Sequence, residues 1–433
     1  MNNYSVRGIP DKALLIGVKL SCENSPWSVE DSLDELVDLA DTAGVVVEAR
    51  LFQNLDKPVP ATFIGSGKID EARELVDRLE INTVIFDDEL LPGQQRNLEK
   101  AFGDEVNVID RTALILDIFA QHAHSREGKL QVELAQYEYR LPRLTGMWVH
   151  LARQAGGKAG GGLGGVGVRG PGETQLEVDR RLIQKKIQAL KQELRELKKQ
   201  RHEQRKNRGR EKMPVAALVG YTNAGKSSLL KSLSGSDVYI EDKLFATLDP
   251  KTRRVNLPSG APILITDTVG FIKKLPHHLV AAFGSTLEGI SEADFVLHVL
   301  DVAHPMVVTH RKTTEDVLAT LGVDHEKMIR VWNKIDLLEE HSVPFHNSQS
   351  DIYLSAREEK GCDKLLELLE NRLEASMEEV ALFLPYSQTG WFQSIQDKGR
   401  ILKQEYRDTG IEIQALLPLY LKNSLREFIV VGV

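Results

Sequence analysis

Cysteine is almost missing from this chain of 433 residues: only Cys22 and Cys362 occur, far apart and in no metal-ligand spacing. That excludes a disulfide-stapled scaffold and a cysteine-rich zinc site, and it suits a reducing cytosol. No run approaches the roughly 18 apolar residues of a membrane span, and residues 1–10 lack the apolar core of a signal peptide. Positive charge is in short supply too, with 55 Lys and Arg against 63 Asp and Glu and a net charge of −8. A global attraction to nucleic acid is therefore excluded, and any such contact must come from a local basic patch. A soluble, cytoplasmic, monomeric protein without a membrane partner is expected, long enough for two to four domains.

What is present falls into four segments. Over residues 1–125, apolar strand-like runs at 14–20, 45–52, 83–86 and 106–109 alternate with helical patterns at 29–43, 69–79 and 94–102, which predicts a parallel sheet covered by helices. Over residues 126–212 the periodicity becomes helical. Leu130, Leu134, Tyr137, Leu141 and Leu144 share one side, and Leu176, Ile183, Leu190 and Leu197 recur every seven residues with Ile187 and Leu194 beside them. Two long helices packed antiparallel would bury both stripes. Between them, residues 155–172 hold ten glycines together with Lys158 and Arg169. Gly165, Gly167 and Gly170 fit GxGxxG there, but no strand precedes them, so a glycine-rich tip loop is expected rather than a dinucleotide site.

The second half of that hairpin is basic. Residues 180–212 carry fourteen Lys and Arg (among them Arg180, Lys185, Arg195, Lys199, Arg205 and Lys212) against Glu193, Glu196, Glu203 and Glu211. A surplus of about +10 inside an acidic chain marks a contact for a polyanion, salt-sensitive by nature. Residues 213–375 return to alternating strands and helices. Residues 376–433 suggest a small α+β domain with no clear chemistry.

The chemistry lies in 213–375. Gly220-Tyr221-Thr222-Asn223-Ala224-Gly225-Lys226-Ser227 spells GxxxxGK[ST] after the apolar run 215–219. A strand, a glycine-rich turn and a helix aim backbone amides at phosphates, with Lys226 on the β/γ-phosphates and Ser227 on Mg²⁺. Asp267-Thr268-Val269-Gly270 is a DxxG element whose carboxylate reaches Mg²⁺ through water and whose Gly270 amide meets the γ-phosphate. Asn333-Lys334-Ile335-Asp336 supplies the base reading: the Asp336 carboxylate accepts from guanine N1–H and the 2-amino group, where adenine offers no matching donors. Ser355-Ala356-Arg357 fits a turn that touches the guanine oxygen through a backbone amide. In order and at strand ends, the four motifs specify a GTP/GDP site. Thr247 in Phe245-Ala246-Thr247-Leu248-Asp249 is the expected switch threonine for Mg²⁺, with Thr252 as its competitor.

This motif set, together with the run from Arg169 to Glu177 (RGPGETQLE), resembles the HflX family of ribosome-associated GTPases over nearly the whole chain. The resemblance implies a multi-domain α/β protein with a P-loop GTPase domain, and GTP contacts from residues 220–227, 245–249, 267–270, 333–336 and 355–357. It also implies catalytic roles for Lys226, Thr247 and Gly270, Mg²⁺ on Ser227 and Thr247, and binding to the large ribosomal subunit to split or rescue stalled ribosomes. The glycine tract before RGPGETQLE is longer than the short one usual in the family.

Four further readings complete the expectations. Phe271 stands where many small GTPases carry a water-orienting glutamine, so unassisted hydrolysis is expected to be slow. Asn223 is either a loop-stabilising amide or a ligand for K⁺ near the β/γ-phosphates. His277 and His278, and more weakly His122 and His124, read as ordinary exposed histidines. Gly65-Ser66-Gly67-Lys68 with Asp87, Asp88 and Glu89 reads either as a second pocket, for ATP in an RNA-remodelling factor, or as a turn and a solvated acidic loop, the simpler reading.

Overall fold

The computed structural model describes residues 11–21, 27–144, 175–207, 213–235, 244–245, 247–274, 289–338, 348, 350–375, 377–388 and 390–430. Cys22, the tip loop with Arg169 to Thr174, Lys212, Ala246, His277 and His278 lie outside the described residues.

The chain opens with β1 (Lys12–Leu20), α1 (Val29–Thr42), β2 (Val46–Leu55), α2 (Ser66–Leu79), β3 (Thr83–Phe86), α3 (Pro92–Phe102), β4 (Asn107–Asp110) and α4 (Arg111–His122). The strands form a parallel sheet in the order β2-β1-β3-β4. β1 and β3 are covered on both faces, which is why they read as unbroken apolar runs rather than alternating ones. Ser28 and Asp31 close a capping box at the start of α1.

The order of this sheet reverses between β1 and β3, the place where open α/β sheets hold ligands. Here that crevice is filled by protein. Asp87, at the end of β3, accepts from Arg111 at 2.7 Å, from the Ser32 hydroxyl at 2.7 Å and from Lys274 at 2.6 Å. Arg111 is fully buried and also pairs with Glu35. Burial opposes the charge on Asp87, yet Arg111 and Lys274 outweigh it and hold the carboxyl below its ordinary range. For Asp87 both readings are thereby corrected, because it is neither solvated nor open to a nucleotide, whereas Glu89 is exposed. Lys68 turns instead to Glu71, 2.6 Å away on α2.

Next come α5 (Arg126–Arg140) and α6 (Gln175–Asn207). Leu130, Leu134, Tyr137 and Leu141 meet Ile183, Ile187, Leu190 and Leu194. Of the expected pair of long helices, α5 has 15 residues and α6 33, and the chain that follows α5 beyond Leu144 lies outside the described residues. The opposite face of α5 carries Val132, Ala135 and Tyr139 into the core of the first domain.

The third unit contains β5 (Val215–Gly220), α7 (Lys226–Ser234), β6 (Lys251–Asn256), β7 (Pro262–Asp267), β8 (Phe295–Asp301), α8 (Val307–Thr320), β9 (Met328–Asn333), β10 (Asp351–Tyr353) and α9 (Cys362–Ala375). Its sheet runs β10-β9-β8-β5-β7-β6, parallel except for β6 against β7. The last unit is an antiparallel sheet of β11 (Glu378–Pro385), β12 (Arg400–Arg407) and β13 (Gly410–Leu417), with β13 central. It closes its own core around Val380, Leu382, Ile395 and Ile413. Among the described residues no helix is long and apolar enough to cross a membrane.

The first and third units share one apolar cluster, in which Tyr221, Leu244, Phe245, Leu248, Val269 and Ile272 join Leu36, Leu39, Ile115 and Phe119. Removing one partner of a buried ion pair strands the other charge, whereas an exposed pair one helical turn apart contributes little. Asp87→Ala is therefore expected to destabilise the protein by about 3–5 kcal/mol, and Lys68→Ala by less than about 0.5 kcal/mol. Denaturant midpoints measured side by side check the contrast, and equal effects would contradict it.

Candidate nucleotide site

β5 delivers its phosphate-binding loop beside the point where the larger sheet reverses, between β8 and β7. A cavity of about 560 Å³ opens there. Gly225 turns the loop with φ +92°, and a Cβ on it would collide with the Asn333 amide. That Asn333 side chain braces the site. It donates to the Ala224 carbonyl at 3.0 Å and accepts from the Ala356 amide at 2.9 Å, joining the phosphate loop, β9 and the 355–357 turn. The Ala356 amide is thus engaged with Asn333 in this structure rather than directed at a base.

Lys226 is buried and donates to the carbonyls of Gly220 at 3.2 Å and Tyr221 at 2.8 Å. Burial pulls its ammonium down to about 8, partly opposed by Asp267. Ser227, at the start of α7, donates to Asp267 at 2.6 Å and lies 3.0 Å from the Thr247 hydroxyl. Burial raises the Asp267 carboxyl, with Lys226 and Ser227 acting against it. Its Oδ1 is buried without a protein partner among the described residues, and so is Oδ1 of Asp336. Two orphaned buried carboxylate oxygens, that of Asp267 behind the Ser227 hydroxyl and that of Asp336 on a residue lining the cavity, fit a Mg²⁺ corner and a guanine edge.

Thr247 therefore stands at that corner, while Thr252 lies on β6 against Thr266 at 3.0 Å. Of the residues named from sequence, Thr222, Asn223, Gly225, Lys226, Ser227, Phe245, Thr247, Thr268, Gly270, Asn333, Lys334, Asp336, Ala356 and Arg357 line the cavity. Gly220, Tyr221, Ala224, Leu248, Asp249, Asp267, Val269, Ile335 and Ser355 are absent from that lining, and several serve as supports. Lys334, in a left-handed turn at φ 68°, pairs with Asp301 at 2.7 Å. The Thr268 hydroxyl goes to the Leu218 carbonyl at 2.7 Å. Ser228, Lys231, Ser232, Leu337 and Glu359 also line the cavity and escaped sequence reasoning. Ser228, next to Ser227 on the first turn of α7, was within reach of it; the others come together only in the fold.

Tyr221 differs most from its expected role. Its hydroxyl donates to Glu35 of α1 and accepts from the Lys273 amide at 2.8 Å, and its ring stacks on His310 at 3.8 Å. Burial pushes His310 down to about 3, so the stacked imidazole is neutral. Phe271 is buried, and its backbone forms two bonds with the loop: its amide to Gly220 at 3.0 Å and its carbonyl from Thr222 at 2.8 Å. His122 bonds the Ile118 carbonyl, and no cluster of three metal-ligating side chains occurs among the described residues.

The surroundings match known proteins throughout. Residues 30–120 match the family described as "GTP-binding GTPase N-terminal", 122–208 "GTP-binding GTPase Middle Region", and 215–334 "50S ribosome-binding GTPase". A GTPase HflX from Caldanaerobacter subterraneus subsp. tengcongensis is 46% identical over 420 residues, 97% of this chain and 94% of the relative. The chain belongs to the HflX GTPase family. HflX from Chlamydia pneumoniae is 44% identical, covering 97% and 88%, and that of Escherichia coli K12 39%, covering 90% of each.

This HflX protein is thus a GTP-hydrolysing enzyme that binds guanine nucleotide. Mg²⁺, general to GTPases, neutralises charge on the β- and γ-phosphate oxygens when bound. Ser227 and Thr247 are the hydroxyls that would hold it, with Asp267 behind them. Lys226, screened from water, adds a positive charge where the phosphates lie.

The depressed lysine carries a measurable consequence. Phosphate oxygens restore its charged form, so between about pH 8 and 10 nucleotide binding is expected to take up part of a proton. Calorimetry at pH 8.5 in buffers of different ionisation heat should show uptake, shrinking toward pH 7; release at pH 8.5 would rule this out.

Proposed function

We propose that this HflX GTPase binds the large ribosomal subunit in its GTP state and splits or rescues stalled ribosomes, with hydrolysis ending the encounter. The observation that carries the reading is the surface of α6. Arg180, Lys185, Arg195 and Lys199 are exposed along this 33-residue helix, in a chain whose net charge is −8. Such a cationic rod suits an RNA backbone. The name of the matching family, "50S ribosome-binding GTPase", agrees with it.

The site also favours a partner-dependent catalyst. With Phe271 packed into the core, that position offers no side chain to orient water, so the unassisted rate is expected at about 10⁻⁴–10⁻² s⁻¹, with ribosomes raising it. Asn223 is exposed at the cavity, placed to hold K⁺ near the β- and γ-phosphates. An RNA-remodelling ATPase is disfavoured by the crevice of the first domain, which Lys274 fills. A ribosome-assembly role would use the same cationic surface.

Cosedimentation with large subunits tests the proposal: a non-hydrolysable GTP analogue should support binding and GDP should not. Lys185→Glu/Arg195→Glu/Lys199→Glu should weaken binding about tenfold or more and flatten its salt dependence. Binding indifferent to nucleotide would defeat the proposal. Splitting of intact ribosomes, compared with action on subunit precursors, separates rescue from assembly. Turnover should be faster in K⁺ than in Na⁺, and equal rates with and without ribosomes would remove the cation role.

A further inference from the structure

Asp249 ends the segment Phe245-Ala246-Thr247-Leu248-Asp249, and its carboxylate leaves the nucleotide cavity altogether. It accepts from the backbone amides of His124 at 2.9 Å and Ser125 at 2.7 Å, and from the Ser125 hydroxyl. Ser125 is itself the N-cap of α5, accepting from the Gly128 amide at 2.9 Å. The carboxylate therefore sits on the first turn of the arm helix, where free amides and the helix dipole favour negative charge. The approach is tight enough that a Cβ on Gly128 would overlap Asp249 Oδ1.

The neighbours of Thr247 are anchored in the same direction. The Leu244 amide donates to Thr42 at 3.3 Å, Phe245 packs edge-on against Phe119 with centroids 4.7 Å apart, and Leu248 is buried in the shared core. Thr247 is carried between these anchors to within 3.0 Å of the Ser227 hydroxyl. Ordering a loop costs entropy, and here contacts with the first domain and α5 offset that cost.

We infer that Asp249 is a positioning residue for the reaction: its docking on the N-terminus of α5 seats Thr247 at the Mg²⁺ corner and ties the base of the α5–α6 arm to the γ-phosphate. Thr247 stands where Mg²⁺ and the γ-phosphate would meet, so the docking strengthens binding of GTP more than of GDP. Linkage makes the effect mutual, and bound GTP tightens the start of α5. The inference rests on the guanine-nucleotide site and is independent of the ribosome proposal, since its test needs no ribosome.

The test compares nucleotide affinities of the full chain. Asp249→Ala should lower affinity for a non-hydrolysable GTP analogue in Mg²⁺ about tenfold, with GDP affinity within about twofold of wild type. Without Mg²⁺ the loss should shrink. Asp249→Asn, which keeps an acceptor and loses the charge, should fall between. Ser125→Ala should act in the same direction, and the double variant Ser125→Ala/Asp249→Ala should lose no more than the worse single one. Amide exchange at residues 126–130 should be slower with the GTP analogue than with GDP, and Asp249→Ala should erase that difference. Equal losses for GTP and GDP would make Asp249 a mere tether and overturn the inference, as would additive losses or exchange indifferent to nucleotide in the wild type.

Discussion

The buried carboxylate of Asp87 is the interaction on which the arrangement of this molecule turns. It closes the crevice of the first sheet, neutralises Arg111 and receives Lys274 from the segment after DxxG. Without Asp87, Arg111 and Lys274 could not share that space. Lys274 adds Asp88 at 2.5 Å, and Glu35 joins Arg111 to the Tyr221 hydroxyl. One ionic chain therefore runs from the N-terminal domain to the phosphate loop and the second switch. Lys273, beside it, is lowered to about 8 by burial and the neighbouring Lys274, and sits over the Trp27 ring.

The consequence is a GTPase domain whose phosphate loop and residues 244–245 and 247–248 lean on the N-terminal domain. Tyr221 belongs to the phosphate loop but spends its side chain on Glu35 and His310. Phe245 and Leu248 belong to the first switch but fill a core shared with Leu36 and Phe119. Residues that would be solvent-exposed in an isolated domain are buried here, so the fold of the N-terminal half and the geometry of the phosphate site depend on each other.

Much of this was legible in the chain itself. The alternating apolar runs located both parallel sheets because strands buried on two faces and helices buried on one leave different periods. The four nucleotide motifs were legible because phosphate, Mg²⁺ and guanine each demand particular atoms at strand ends. Asp87 shows the limit. Asp87-Asp88-Glu89 reads as a solvated turn, since nothing local announces that Lys274 arrives from 187 positions away. The side-chain directions of Asp249 and Tyr221 were hidden for the same reason: membership of a motif says which loop carries a side chain, not which way it points. The second buried face of α5 escaped because only the face toward α6 left a matching stripe.

Sequence alone determined the sheet-and-helix plan, the order of the guanine-nucleotide motifs along the chain, and the cationic character of α6. These rest on local residue identity and spacing, which short-range chemistry dictates. Tertiary structure decided that Asp87 is a lock rather than a pocket, that Tyr221 and Asp249 face other domains, and that Ser228, Lys231, Ser232, Leu337 and Glu359 complete the cavity. Buried charge is the physical reason. A carboxylate withdrawn from water must find its partners in space, and those partners lie wherever the packed domains bring them.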